Sequence, residues 1–284
     1  MANTPPHCVS CAEPTLGRYC HRCGEKRLGD GDRTLKHIVG HAFEAATNAN
    51  GKSLLTARAL LRHPGQLTAD YIRGRRKPYL APLQLFLVAN LIFFLLHPLI
   101  GSNTLTTSLG THLHYTWHTK IAQSFVTARL AQRRISTDAY AANFDAAAVT
   151  QAKSLVILLV PIFATAVAFC YVRTRRTVVD HVIFAAHFCT FWLLMICAVL
   201  MLTNATIRLL RVVDVFPSAD VVNAAIFIAT LVIMVAYLFQ ATRAVYGREA
   251  IWLTVMKAVA LALAFDVSLQ AYRFVLFFIT YWST

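Results

Sequence analysis

Long apolar stretches recur along the chain, and short polar segments that carry most of its charge separate them. A helix that crosses a bilayer needs about 20 mostly apolar residues, because the hydrocarbon core is about 30 Å thick. Judged by that length, the pattern predicts about five transmembrane helices, at residues 80–100, 154–172, 181–203, 221–241 and 251–282. We therefore expect residues 80–284 to form an all-α integral membrane bundle, with an outer loop at 101–153.

The charge of the chain is strongly basic and unevenly placed. Lys and Arg number 27 against 13 Asp and Glu, which gives a formal net charge of +14. The basic residues concentrate before the first predicted span, at 173–176 and at 243–248. Short loops rich in Lys and Arg stay in the cytoplasm when a membrane protein inserts. The asymmetry predicts a cytoplasmic N-terminus and, for five spans, a C-terminus outside.

The last apolar stretch is longer than a single crossing requires. As a helix that rises about 1.5 Å per residue, residues 251–282 would be about 48 Å long. The stretch is therefore either one tilted helix with a cytosolic extension or a helix broken near Asp266. The sequence leaves both arrangements open.

Four cysteines near the N-terminus are spaced for a metal ion. Cys8, Cys11, Cys20 and Cys23 form the pattern C-x2-C-x8-C-x2-C, in which each pair aims two sulfurs at one point. Four thiolates complete the tetrahedral shell of structural zinc, Zn²⁺. The alternatives are two disulfides or a redox-active pair, and a cytoplasmic location disfavours disulfides. We expect residues 1–30 to form a small zinc ribbon whose closed site has no open position for a substrate.

Residues 31–79 are neither apolar enough to span a bilayer nor polar enough to be a free linker. We interpret this segment as a basic amphipathic connector in the interface, since Leu54, Ala57, Leu60 and Leu61 share one helical face. Such helices bind anionic headgroups. The candidate surface for lipid headgroups or a protein partner comprises Arg58, Arg62, Arg73, Arg75, Arg76 and Lys77. The alternative is a topology signal that binds no ligand.

The cysteine head and the block that follows it resemble a known bacterial family of zinc-ribbon inner-membrane proteins, a domain of unknown function. The resemblance covers about residues 8–100 and rests, beyond the cysteines, on Leu55, Thr56, Leu60, Leu61, Pro64, Gly65, Tyr71, Gly74, Arg75, Arg76, Lys77, Tyr79 and Pro82. It implies the architecture given above and a multi-pass location in the bacterial inner, or cytoplasmic, membrane. It implies no activity.

Polar residues within or near the predicted spans are further candidates. Asp266, Gln270 and Arg273 follow one another at i, i+4 and i+7, so they share one face of the last helix. Ionisable residues in a membrane are costly and tend to be functional, so we expect this face to point into the bundle, either as a pathway or as a packing contact. In the outer loop, a histidine cluster is either a metal site or part of an interfacial helix: His112, His114 and His118.

No catalytic motif stands out, and the leading hypothesis is a non-enzymatic scaffold or accessory protein. Its zinc ribbon would dock a protein partner at the cytosolic face of the membrane. One alternative is a small transporter or lipid-handling protein that uses the polar face of the last span, and another is a membrane-embedded enzyme. Nucleic acid is not expected as a partner, because the tethered ribbon has only Tyr19 for stacking bases. The sequence does not specify an oligomeric state.

Overall fold

Helices dominate the fold, as the hydrophobic pattern predicts. The computed structural model describes residues 7–15, 17–27, 52–100, 104–212, 214 and 216–284, and these contain no β-strand beyond two isolated bridges near the N-terminus. Residues 31–51 of the predicted connector lie outside the described residues. The helices are α1 (Lys52–Arg62), α2 (Gln66–Arg73), α3 (Pro82–Ile100), α4 (Leu109–His114), α5 (Thr119–Arg133), α6 (Thr137–Leu155), α7 (Leu159–Cys170), α8 (Val178–Val212), α9 (Ala219–Tyr246) and α10 (Ile251–Ser283).

Four helical segments of the described chain are long and apolar enough to cross a membrane. They are Thr137–Cys170, in which a short 3₁₀ turn joins α6 to α7, and the three long helices α8, α9 and α10. Helix α3 is also apolar, but its stretch Pro82–Leu96 is shorter than the others. The protein is therefore a multi-pass membrane protein with four candidate spans. The fifth crossing, at 80–100, stays a prediction.

Helix α8 lies at the centre of the bundle and packs against α3, α7 and α9. Aromatic side chains fill the space around it: the ring of Phe188 lies 4.8 Å from that of Phe163 on α7 and 5.0 Å from that of Phe265 on α10. The rings of Phe191 and Tyr237 stack at 3.7 Å. Lipid tails are as apolar as these side chains, so close packing rather than exclusion of water holds such helices together.

The predicted outer loop, 101–153, is mostly helical. Two serine N-caps begin α4 and α6: the Ser108 and Ser136 hydroxyls accept hydrogen bonds from the N–H groups of Thr111 and Ala139. Helices α4, α5 and α6 enclose a second apolar cluster together with the end of α10, which contributes Phe277 and Tyr281. We call residues 109–155 and the end of α10 the distal module. The segment 109–155 is therefore packed helix, and its last helix, α6, continues through the 3₁₀ turn into α7.

Helix α10 is one continuous helix of 33 residues, so of the two arrangements that the sequence left open, the helix broken near Asp266 does not occur. The helix is about 50 Å long at 1.5 Å per residue, and the part that exceeds a single crossing lies at its C-terminal end. There the Tyr140 and Thr284 hydroxyls lie 3.1 Å apart, and the Arg133 guanidinium donates to the Thr284 carbonyl. The extension thus lies in the distal module, at the end opposite the ribbon, whereas the sequence predicted it on the same side as the ribbon.

The segment before the first apolar helix is more deeply buried than the predicted interfacial connector. In α2 the six consecutive residues 67–72 are buried, and the helix packs against α8 and α9. Gly65, with φ of +80°, allows this approach, because a Cβ there would lie 2.5 Å from the Ala241 Cα of α9. The Thr68 hydroxyl also lies 2.9 Å from Nδ1 of the buried His187. Of the two helices, only α1 retains an exposed amphipathic face.

Candidate metal centre and its joint to the bundle

The four cysteines lie on two turns of the same geometry. In each turn the N–H of the first cysteine donates to a glutamate carbonyl five residues later: Cys8 to Glu13 at 2.8 Å and Cys20 to Glu25 at 2.9 Å. Each turn also has one residue with a left-handed backbone just after its second cysteine, namely Ala12 in the first and glycine in the second. The described part of the ribbon, 7–27 without residue 16, is therefore a pair of matching cysteine knuckles.

The sulfur atoms of the two knuckles converge on one point. The Sγ atoms of Cys8 and Cys23 are 3.6 Å apart, as are those of Cys11 and Cys20, and all four lie within 4.8 Å of one another. Sulfurs about 2.3 Å from a tetrahedral ion would be about 3.8 Å apart. A disulfide would bring two sulfurs to about 2.05 Å, and all four thiols are free. The arrangement fits a bound metal ion.

One of the four thiols is poised to ionise. Hydrogen bonds from the backbone N–H groups of Cys23 and then Arg22 lower the pKa of Cys20 to about 6. The thiolate is the form of cysteine that binds metal ions. The knuckle therefore prepares the Cys20 sulfur for coordination at neutral pH.

The buried carboxylate of Glu25 joins the ribbon to the bundle. Its Oε2 atom accepts hydrogen bonds from the Ser10 hydroxyl at 2.5 Å and from the backbone N–H groups of Arg76 and Lys77 at 3.2 and 2.9 Å. Ser10 belongs to the first knuckle, whereas Arg76 and Lys77 lie between α2 and α3. A single carboxylate thus links both knuckles to the loop 74–80, which we call the basic loop.

Glu13 occupies the equivalent place in the first knuckle but faces away from the bundle. Its side chain is partly exposed and forms an ion pair with Arg22 at 2.9 Å. The two glutamates therefore have the same local geometry and different surroundings, and Glu13 is a natural control for Glu25.

Asp70 shapes the basic loop from within the bundle. This aspartate is buried, and its carboxylate accepts hydrogen bonds from Gln66 at 2.8 Å, from Arg73 at 2.6 Å and from the Tyr79 hydroxyl at 3.1 Å. Arg75 completes the group with an ion pair at 3.5 Å. An acid that is buried among cations and donors needs such partners to offset the loss of its hydration. Asp70 therefore fixes the chain on both sides of the turn at residue 74.

The remaining cations of the basic loop, Arg76 and Lys77, also lie at the joint, the place where the ribbon meets the bundle around Glu25. The Arg76 guanidinium lies 4.8 Å from the centre of the Tyr71 ring, and its Nε donates to the Tyr71 carbonyl at 3.3 Å. The Lys77 ammonium lies beside Gly24, where any side chain would collide with it. Of the six cations predicted as one surface, four are grouped at this joint. Only Arg58 and Arg62 lie apart from it, both exposed on α1.

The polar face of α10 is not arranged as the sequence predicts. Asp266 is exposed on the surface of the chain, so the expectation that it points into the bundle is wrong for this residue. Arg273 is partly buried and donates to the Thr104 carbonyl at 3.2 Å. The Gln270 Oε1 and Arg273 Nε atoms are buried without a hydrogen-bond partner in the described residues. The three residues share a helix face, but no hydrogen bond or ion pair connects them.

The outer histidines form a pair and not a triad. Nδ1 of His112 lies 3.0 Å from Nε2 of His118, and both rings are buried, with that of His112 5.1 Å from the Phe277 ring. His114 is exposed and takes no part. Burial first, and then His118 and Arg273, lower the pKa of His112 to about 3. Among the described residues, only the four cysteines gather three or more potential metal ligands.

Two acidic residues that organise the joint were missed by the sequence analysis. Glu25 carried a signal, because a glutamate stands two positions after the second cysteine of each CxxC pair, at Glu13 and Glu25. Asp70 carried another, as the only acid between residues 52 and 79, where cations are frequent. Thr56 had no signal of its own. Its hydroxyl donates to the Lys52 carbonyl at 2.6 Å and accepts from the Leu80 N–H at 3.0 Å.

The comparison with known families supports this part of the chain as a unit. A family described as a protein of unknown function (DUF3667) matches residues 51–94, which contain α1, α2, the basic loop and most of α3. The match includes Thr56, Gly65 and Asp70 and lies after the four cysteines. No curated protein and no solved structure matches the chain. The segment that holds the ribbon against the bundle is thus the part of this chain that is similar to a family of unknown function.

Proposed function

We propose that this protein is a non-enzymatic membrane scaffold that presents a metal-folded ribbon to a protein partner beside the bilayer. One observation carries the proposal: the Glu25 carboxylate bonds both knuckles of the ribbon to the basic loop. If the chain only tethered the ribbon to the bundle, this contact of Glu25 would not be needed. A ribbon that is fixed to the bundle presents its outer surface in one orientation, which lowers the entropy lost when a partner binds.

The outer surface of the ribbon is suited to a protein partner. Val9 and Tyr19 are 55% and 59% exposed, and the cations Arg18, next to Tyr19, and Arg27 are exposed as well. Tyrosine and arginine are enriched in protein interfaces because each combines apolar area with a polar end. We propose that the partner brings an acidic surface to this face and that nucleic acid is not bound.

Zinc is the proposed cofactor, with a structural role. Cys8, Cys11, Cys20 and Cys23 supply a full set of four thiolates, and such sites are closed to substrates. A ribbon of this size has too small a core to fold alone, so metal binding supplies its folding free energy. The proposal therefore assigns no catalytic residue.

The proposed topology has five crossings, with the ribbon in the cytoplasm of a bacterial cell and the distal module outside the inner membrane. The support is the distribution of positive charge. The loops before α8 and α10, which lie at the same end of the bundle as the ribbon and which we call the ribbon end with it, carry Arg175, Arg176 and Arg248. Reporter fusions after Gly110 and at Thr284 should be active outside the cell. A fusion after Arg176 should be active in the cytoplasm, and a cytoplasmic signal at Thr284 would contradict five crossings.

The scaffold is tested by crosslinking in cells followed by mass spectrometry. Wild-type protein is compared with a Cys8→Ser/Cys11→Ser variant, in which the ribbon lacks its metal site. The matched control is Cys170→Ser, which removes a cysteine that lies outside the metal centre. We expect one protein partner to be lost from the double variant alone, with all three proteins present at the same level in the membrane.

A different result would favour a different function. Protein contacts that are unchanged in the Cys8→Ser/Cys11→Ser variant would contradict the scaffold. If a lipid or solute co-purified in that case, the transporter or lipid-handling alternative would take its place.

A further inference from the structure

One side of helix α1 packs against the rest of the protein, and its opposite side exposes apolar residues. Thr56 and Leu60 are buried against the rest of the chain, at 0% and 1% exposure. On the opposite side Leu54 is 78% exposed and Leu61 is 50% exposed. The two leucines are seven positions apart, which places them on the same face two turns from each other. Leucines in a folded helix that are this exposed to water would be unfavourable, so something apolar is expected to cover them.

Cations flank these leucines on the same helix. Lys52, Arg58 and Arg62 are exposed, and none of them forms an ion pair within the part of the chain that the structure describes. By contrast, Arg73 at the end of α2 and Arg75 of the basic loop are paired with Asp70. The outer face of α1 therefore combines apolar side chains with positive charge that the described residues do not neutralise.

The position of α1 is fixed relative to the first apolar helix. The Thr56 hydroxyl accepts a hydrogen bond from the Leu80 N–H, and Leu80 stands two residues before Pro82, where α3 begins. Two residues of extended chain span only about 7 Å. Helix α1 consequently lies beside the start of α3, which, for the predicted crossing at 80–100, is the depth of the lipid headgroups.

We infer that α1 is an in-plane docking site for anionic phospholipids of the bilayer in which the protein sits. Leu54 and Leu61 enter the boundary between headgroups and acyl chains, and Arg58 and Arg62 bind lipid phosphates. The inference rests on the proposed placement of the ribbon end at one membrane face. It deepens that proposal by separating two partners: lipid at α1 and protein at the ribbon.

The test uses full-length protein in phosphatidylcholine vesicles that contain a trace of a lipid with a photoactivatable acyl chain. The probe is either phosphatidylglycerol, which is anionic, or phosphatidylcholine. We expect the phosphatidylglycerol probe to label residues 52–62 preferentially. Arg58→Gln/Arg62→Gln should lower this labelling about 25-fold, because each of the two cations contributes about a factor of five in binding to an anionic headgroup. The phosphatidylcholine probe should label the variant and the wild type equally.

The matched control is Arg175→Gln/Arg248→Gln, which removes two exposed cations elsewhere at the ribbon end. Its labelling at residues 52–62 should equal that of the wild type. Equal labelling by the two probes, labelling of α1 that the arginine substitutions leave unchanged, or crosslinks from α1 to protein in place of lipid would each overturn the inference. If α1 selects phosphatidylglycerol while the ribbon shows no partner in cells, the scaffold fails and the lipid site stands.

Discussion

Replacing Glu25 is predicted to release the ribbon from the bundle without emptying its metal site. Glu25→Ala removes the acceptor shared by the Ser10 hydroxyl and the Arg76 and Lys77 N–H groups. The four cysteines are untouched, so the knuckles should still bind their metal. The change therefore separates docking of the ribbon from folding of the ribbon.

The magnitude follows from the three hydrogen bonds. A hydrogen bond to a charged group contributes about 1.5–3 kcal/mol, and bonds that share one atom are not additive. We expect Glu25→Ala to weaken docking by about 2–4 kcal/mol, which is roughly 30- to 1,000-fold in the docking equilibrium. Glu25→Gln keeps an acceptor oxygen but loses the charge, so its effect should be about 1 kcal/mol. Glu13→Ala loses only a surface ion pair, worth about 0.2–1 kcal/mol.

The assay is a distance distribution measured by pulsed electron resonance. One spin label replaces Tyr19 in the ribbon and the other replaces Trp252 at the start of α10, and both sites are exposed. The labels are attached to ketone-bearing amino acids, so the cysteines are not modified. Wild-type protein and Glu13→Ala should give one narrow distribution, and Glu25→Ala should give a broad one with unchanged metal content. A narrow distribution for Glu25→Ala would show that other contacts hold the ribbon, and the role given to Glu25 would be wrong.

Three further predictions concern other parts of the account. Gly65→Ala should lower the thermal midpoint of unfolding by several degrees, because a Cβ there collides with α9 and the backbone is left-handed. The control is Gly110→Ala, whose Cβ would lie in open space and should leave the midpoint unchanged. Purified protein should contain one zinc per chain, Cys20→Ser should lose it, and acid should release the metal as protons compete with it for the four thiolates. Metal content that ignores both changes would refute the site. Asp266→Asn should not lower the thermal midpoint, because the side chain is exposed and the change removes a charge that is costly in a membrane. A large loss of stability would show that the side chain has a partner in the membrane.

Local patterns in the sequence predicted the cysteine cluster and the long apolar helices. The doubled CxxC spacing sufficed for the cysteine cluster, since the geometry of each knuckle depends on residues five or fewer positions apart. The apolar stretches identified α8, α9 and α10, because a helix that crosses lipid needs an uninterrupted run of apolar residues. The single-helix form of α10 could not be chosen in advance, since its end is stabilised by contacts with Tyr140 and Arg133, far away in sequence.

Contacts between distant segments account for what the sequence did not predict. Residues of α2 are individually as polar as those of a surface helix, and only the packing of Gly65 on α9 and of Thr68 on His187 places them inside. Glu25 and the basic loop are about 50 positions apart, so no local pattern connects them. The histidine pair likewise depends on a turn that brings His118 back to His112, whereas a spacing of four residues on one helix would instead place His114 beside His118.

The most direct test of the account is amide hydrogen exchange at the basic loop, with and without metal in the ribbon. The N–H groups of Arg76 and Lys77 donate to Glu25, which stands two residues after the last cysteine of the metal centre. In metal-loaded protein in lipid nanodiscs, the account predicts slow exchange in peptides that cover residues 74–80. Removal of the metal by a chelator, or Cys20→Ser, should make exchange there at least about tenfold faster, while peptides from the core of α8 stay unchanged. Exchange at residues 74–80 that is the same with and without metal would contradict a metal-folded ribbon docked on the bundle.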